Sequence, residues 1–148
     1  MTLQEQLIHD MKAAMKAKDQ AKLGTIRFAR SAIKNREIEL GKVLDDDEVL
    51  RVLTSLVKQH KDSIEQYRLG GRDDLVEKEQ ASLAVLESYL PQQLSDQELR
   101  ELVKEAIALV QATSIKEIGK VMQAIMPKVQ GRADGKLVNQ LVKEALNR

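Results

Sequence analysis

Tyr89-Leu90-Pro91-Gln92-Gln93-Leu94-Ser95-Asp96-Gln97-Glu98-Leu99 decides how the chain is divided. Proline cannot donate to a helix ladder and steers the residue before it away from helical backbone, so a helix arriving from the N-terminal side must stop by Leu90. A new one starts at once: Ser95 and Glu98 stand at capping-box spacing, and Leu94 and Leu99 at the spacing of a hydrophobic staple. The stretch predicts a boundary, with an N-terminal domain over 1–91 and a C-terminal domain over 92–148.

Upstream, apolar residues recur at helical spacing. Thr2 and Glu5 stand at capping-box spacing ahead of Leu3, Leu7, Met11 and Met15. Asp19 caps a second helix whose apolar side is Leu23, Ile26, Ala29 and Ile33, and Gly41 ends it. Asp45 and Glu48 open a third, with Val49, Leu53, Leu56, His60, Ile64 and Tyr67 on its stripe until Gly70-Gly71. A fourth starts at Asp73 or Asp74 and carries Val76, Leu83, Leu86 and Leu90.

Downstream of Pro91 the stripe Leu99, Leu102, Val103, Ala106, Val110 is the most regular in the chain. Ser114 and Glu117 repeat the box before Ile118, Val121, Met122, Ile125 and Val129, with Pro127 a late break. The last helix starts near Asp134 and presents Leu137, Val138, Leu141, Val142 and Ala145. The fold class predicted is all-α: a four-helix N-terminal unit followed by a three-helix C-terminal subdomain. The composition agrees, since one Phe, two Tyr and no Trp leave a Leu/Ile/Val/Ala/Met core, and seven Gly with two Pro are too few turn residues for many strands.

With no Cys, disulfides, thiolate catalysis and sulfur-rich metal sites are excluded. No apolar run approaches a membrane span, and we expect an unprocessed, soluble, cytoplasmic protein. His9 and His60 are far apart and lack clustered carboxylates at ligand spacing, so no metal site is expected; no cofactor motif and no catalytic set stands out either.

Net charge is only +1, but its distribution is uneven. Between Lys12 and Arg36 eight Lys/Arg face Asp19 alone, and from Lys116 to Arg148 seven face three acids. Arg27, Arg30 and Lys34 share a helical stripe, with Lys12, Lys16 and Lys22 nearby; this is either a solvated face or a surface for phosphates. The loop Gly131-Arg132-Ala133-Asp134-Gly135-Lys136 lies between two helical segments. It is not a nucleotide loop, because three residues rather than four separate its glycines and Leu137 stands where a Ser or Thr is needed. It is either a helix corner or a weaker anion site made by the amides of Gly135 to Leu137 with Lys128, Arg132 and Lys136, although Asp134 as N-cap competes for those amides. Aromatics are too few for sequence-specific single-strand reading, so contact with shape and backbone is the expected mode.

The chain as a whole resembles the YqeY family of small helical proteins. The residues that carry the likeness are Asp10-Met11-Lys12 with Ala14-Met15-Lys16, Thr25-Ile26-Arg27, Gly70-Gly71-Arg72-Asp73-Asp74-Leu75, Tyr89-Leu90-Pro91 with Gln93-Leu94, Ile118-Gly119-Lys120-Val121-Met122, Gly131 through Asn139, and Leu141-Val142. The C-terminal part is also similar to the tail of the GatB subunit of the Glu-tRNA(Gln)/Asp-tRNA(Asn) amidotransferase, with Asp134-Gly135 standing where that tail has Asn-Pro. The resemblance implies a two-part all-α fold and a tRNA-associated binding module, since the subunit tail contacts tRNA at its elbow and a similar domain aids tRNA binding in some glutaminyl-tRNA synthetases. It also implies partners: an aminoacyl-tRNA synthetase or amidotransferase subunits. The nucleic-acid contacts expected are Lys120, Lys128, Arg132, Lys136 and Lys143, with Arg27, Arg30 and Lys34 as a second surface and Gly131, Asp134 and Gly135 shaping the loop. Two alternatives stay open: an accessory role in glutamine-dependent amide transfer, the carbon-nitrogen ligase label such families carry, and a protein-interaction adaptor. By itself the chain is not expected to catalyse.

Overall fold

A computed structural model describes residues 1–147. Among them lie seven α-helices, one 3-10 turn and no strand. Contacts divide the chain into two compact units, Met1–Leu90 and Pro91–Arg148.

In the first unit α1 (Leu3–Ala17), α2 (Gln20–Leu40), α3 (Asp46–Leu69) and α4 (Asp73–Glu87) form a helical bundle. α3 packs most extensively on α4, α1 on α2, and α2 also on α4. The apolar stripes meet in one core that includes Leu7, Ile26, Ala29, Ile33, Val49, Leu53, Leu56 and Leu86. Each helix start has a local cause. The hydroxyl of Thr2 accepts from the amide of Glu5 and the carboxylate of Asp19 from that of Lys22, each at 3.1 Å, satisfying donors that a helix leaves open at its first turn. Asp45 and Glu48 close a complete capping box at the head of α3. At α4 the cap residue is Arg72, without a side-chain cap; Asp74 holds the guanidinium of Arg72 instead, at 3.2 Å.

Two side-chain contacts brace α1. The Tyr89 hydroxyl donates to Asp10 at 2.6 Å, and burial, reinforced by that carboxylate, holds its pKa well above the usual phenol value. Glu37 of α2 accepts from the amide of Leu44 at 2.9 Å and from Gln4 of α1 at 3.1 Å, which together keep its carboxylate below the ordinary range. Glu37 thereby fixes both the chain leaving α2 and the first turns of α1.

In the second unit α5 (Asp96–Val110), α6 (Ile118–Val129) and α7 (Gly135–Leu146) pack pairwise around Leu99, Val103, Val121, Ile125, Val129, Val138, Leu141 and Val142. Ser95 and Glu98 make the capping box expected for α5. The start of α6 differs from the expectation: a 3-10 turn, Ile115–Glu117, comes first, and the Glu117 carboxylate reaches back to the amides of Thr113 (2.6 Å) and Ser114 (3.3 Å). A box spacing marks where a chain turns helical but does not choose between the 3-10 and α forms of the first turn. Pro127 lies inside α6, which continues to Val129 and then ends.

Candidate nucleic-acid interface

The basic stripe of α2 is a consequence of helical spacing. Arg27, Arg30 and Lys34 lie three and four residues apart, so all three project on one side of the helix, next to its buried face. Because α1 packs beside that face, the three line a groove of about 670 Å³. Leu7, Met11 and Ile33 form its apolar floor, and Gln4 and Glu37 close one end. Arg27 and Lys34 are exposed and Arg30 is half-buried, with Nη1 3.4 Å from the Met11 sulfur. The sulfur contact pins the Arg30 guanidinium over the floor and neutralises none of its charge. Glu37 is the opposing carboxylate in the groove; its Oε2 accepts from the Leu44 amide and from Gln4, neutral donors that fix its place and leave its charge. Three cations against one carboxylate leave the groove lining with a positive balance.

The loop of the second unit is built differently. Gly131 is buried and has φ +75°, a left-handed conformation that costs a residue bearing a Cβ. Gly135 opens α7 in open space and without positive φ. Asp134 is the N-cap, accepting from the amide of Lys136 at 3.2 Å, so the helix terminus expected as an anion site is occupied from within. The boundary segment grips the loop from the other side. The side-chain amide of Gln93 donates to the Gly131 carbonyl at 2.8 Å, and the Leu94 amide donates to the Arg132 carbonyl at 2.9 Å. Arg132 itself turns its guanidinium inward: Nε donates to the Gln92 carbonyl at 3.1 Å and Nη1 to the Lys128 carbonyl at 3.5 Å.

The expected contact residues therefore fall into three groups. Arg27, Arg30 and Lys34 are gathered on one groove. Arg132, with Gly131 and Asp134, forms a clamp that joins Gln92–Leu94 to the start of α7. Lys120, Lys128, Lys136 and Lys143 are exposed on α6 and α7; Lys120 lies 4.0 Å from Glu117, and Lys136 and Lys143, seven residues apart, share one face of α7. Among the described residues no group of three or more His, Cys, Asp and Glu is placed to hold a metal ion, and no helix is long and apolar enough to cross a membrane.

One exposed aromatic was not picked out by its spacing. Phe28 of α2 is 51% exposed, and its ring meets that of His60 edge-on, with centroids 5.9 Å apart. The signal available in the sequence is that Phe28 lies off the apolar stripe, in line with Ala21 and Gly24.

The geometry can be set beside known proteins. A family model described as Yqey-like protein matches residues 4–146. The chain belongs to the YqeY family. Curated relatives carry the name altered inheritance of mitochondria protein 41, mitochondrial. The one from Pyrenophora tritici-repentis is 33% identical over 140 residues, 93% of this chain and 77% of its own length. The one from Saccharomyces cerevisiae is 37% identical over 128 residues, 86% of this chain and 68% of its own. The one from Lachancea thermotolerans is 43% identical over 84 residues, 56% of this chain and 45% of its own. The first two matches extend across most of this YqeY-family chain, so the relationship is not confined to one unit.

Proposed function

We propose that this YqeY-family chain is a tRNA-associated binding module that grips the RNA backbone and does no chemistry of its own. The observation that carries the reading is the convergence of Arg27, Arg30 and Lys34 on one groove whose floor is apolar. Such a groove suits a nucleic-acid strand: guanidinium and ammonium groups meet phosphate oxygens, and Met11, the partly exposed residue of the floor, faces the sugar edge. Lys120, Lys128, Lys136 and Lys143 offer a second set of phosphate contacts, and the likeness of this part to the amidotransferase tail is what points to tRNA. Arg132 is a positioning residue for the loop in this reading.

The proposed place of action is the cytoplasm. The fungal relatives carry the word mitochondrial in their names, and tRNA is an RNA that both compartments contain. Amidotransferase or synthetase subunits would then be partners through a shared tRNA.

Fluorescence anisotropy of an end-labelled tRNA at low salt tests the reading. The full chain should bind, and Arg27→Ala with Lys34→Ala should weaken binding roughly tenfold or more, since each phosphate contact supports affinity. Both side chains are exposed, so the fold should be unchanged by circular dichroism. No binding at low salt, or equal binding by the variant, would remove the proposal.

A further inference from the structure

A second pocket in the first unit, about 580 Å³, lies against α2, α3 and α4. Its volume falls in the range of small-ligand sites. Ala21, Gly24 and Phe28 line it from α2, His60 from α3, and Lys78 and Glu79 from α4. The small residues matter: a Cβ built on Gly24 would meet nothing within 4 Å, so the surface beside the Phe28 ring is open. The only phenylalanine of the chain thus keeps half of its surface outside the core, where its apolar area has nothing of the protein to cover it.

The polar end of the pocket has a defined hydrogen-bonding character. His60 Nδ1 lies 2.8 Å from the Leu56 carbonyl oxygen. A carbonyl only accepts, so Nδ1 carries the proton, and in the neutral ring Nε2 is an acceptor. Nε2 stands 3.6 Å from Oε2 of Glu79, a second acceptor, and the two side chains are only 12% and 27% exposed. Two acceptors facing each other call for a donor, which a proton on the imidazole, water entering the open pocket or a ligand N–H supplies. An aromatic surface beside a pair of acceptors matches a flat heteroaromatic ring with an amine on its edge. About 100° round α2 from Phe28 stands Arg27, and Lys78 lines the pocket itself, so the charge beside the ring favours a ligand whose ring is attached to phosphate.

We infer that this pocket receives one unpaired, amino-bearing nucleobase, stacked on Phe28 with its exocyclic amine donating to both Glu79 Oε2 and His60 Nε2 from the pocket side, while the adjoining phosphates lie along α2. The inference rests on the RNA reading above and adds to it a single-strand contact. Stacking on an aromatic side chain contributes to affinity whatever the base, and the acceptor pair adds the preference for an amine.

The chain has no tryptophan, so Phe28→Trp installs a unique fluorophore. Adenosine monophosphate and a short oligoadenylate should quench it, and oligouridylate should quench it less. Phe28→Ala should weaken oligoadenylate binding roughly tenfold and leave a fully paired RNA duplex unaffected. Phe28→Leu, which keeps apolar bulk without a ring, should behave like Phe28→Ala, and Glu79→Gln should narrow the difference between adenylate and uridylate. Quenching by adenosine monophosphate in a protein that binds no tRNA would keep the pocket and overturn the tRNA reading. Binding of tRNA with no quenching by either adenosine probe would keep that reading and overturn the pocket.

Discussion

Gly131 and Arg132 differ from the residues beside them in what holds them. Gly131 is buried with φ +75°, so Gly131→Ala should destabilise the second unit by about 1–2 kcal/mol. Gly135→Ala, in open space at the head of α7, should be neutral or stabilising by up to about 1 kcal/mol; paired thermal denaturations separate the two. Arg132→Ala should destabilise by about 1 kcal/mol or more by removing charge-assisted bonds to the Gln92 and Lys128 carbonyls. Lys136→Ala, at an exposed position, should leave the melting curve nearly unchanged. At this scale the sequence is only half legible. Spacing placed Arg27, Arg30 and Lys34 together, because three cations on one helix need nothing but the helix. Spacing could not separate Arg132 from the exposed lysines, since its partner at Gln92 is 40 residues away and comes within reach only through tertiary packing. Nor could it single out Phe28, whose exposure depends on what α3 and α4 leave uncovered.

At the scale of elements the helices were legible because their signals are local. Apolar periodicity and caps at Thr2, Asp19, Asp45 and Ser95 act within one turn, and each start falls where its cap stands. The departures have equally local causes. Asp74 pairs with Arg72 in place of capping, and Ser114 precedes a 3-10 turn. The caps also set a response to acid. Glu98 and Glu117 accept from backbone amides at helix starts and Glu37 from the amide of Leu44, and each is held below the ordinary carboxylate range chiefly by that bond. A carboxylate depressed in the folded state contributes stability that is present above its unfolded pKa, about 4.3, and is lost as the pH falls through the folded value. The melting temperature should therefore be level above about pH 5 and fall below about pH 4. Glu98→Gln, which keeps an acceptor and removes the titration, should make that fall shallower; a fall of unchanged steepness would show that the cap carboxylate does not contribute.

For the molecule as a whole, net charge near zero conceals a positive groove, and a long-range field is not what the chain offers an RNA. The binding we propose is short-range: phosphates seated on three cations in the first unit, with further lysines in the second. In that proposal each of the two units, Met1–Leu90 and Pro91–Arg148, carries its own phosphate contacts, and the salt dependence of binding counts them. The most direct measurement is a titration of tRNA across a salt series, with the full chain and with Arg27→Ala/Lys34→Ala. Log affinity should fall linearly with log salt, and the slope of the double variant should be shallower by about two, one for each phosphate contact removed. Parallel lines for the two proteins, or an affinity indifferent to salt, would contradict the assignment of the α1–α2 groove as the backbone-binding surface.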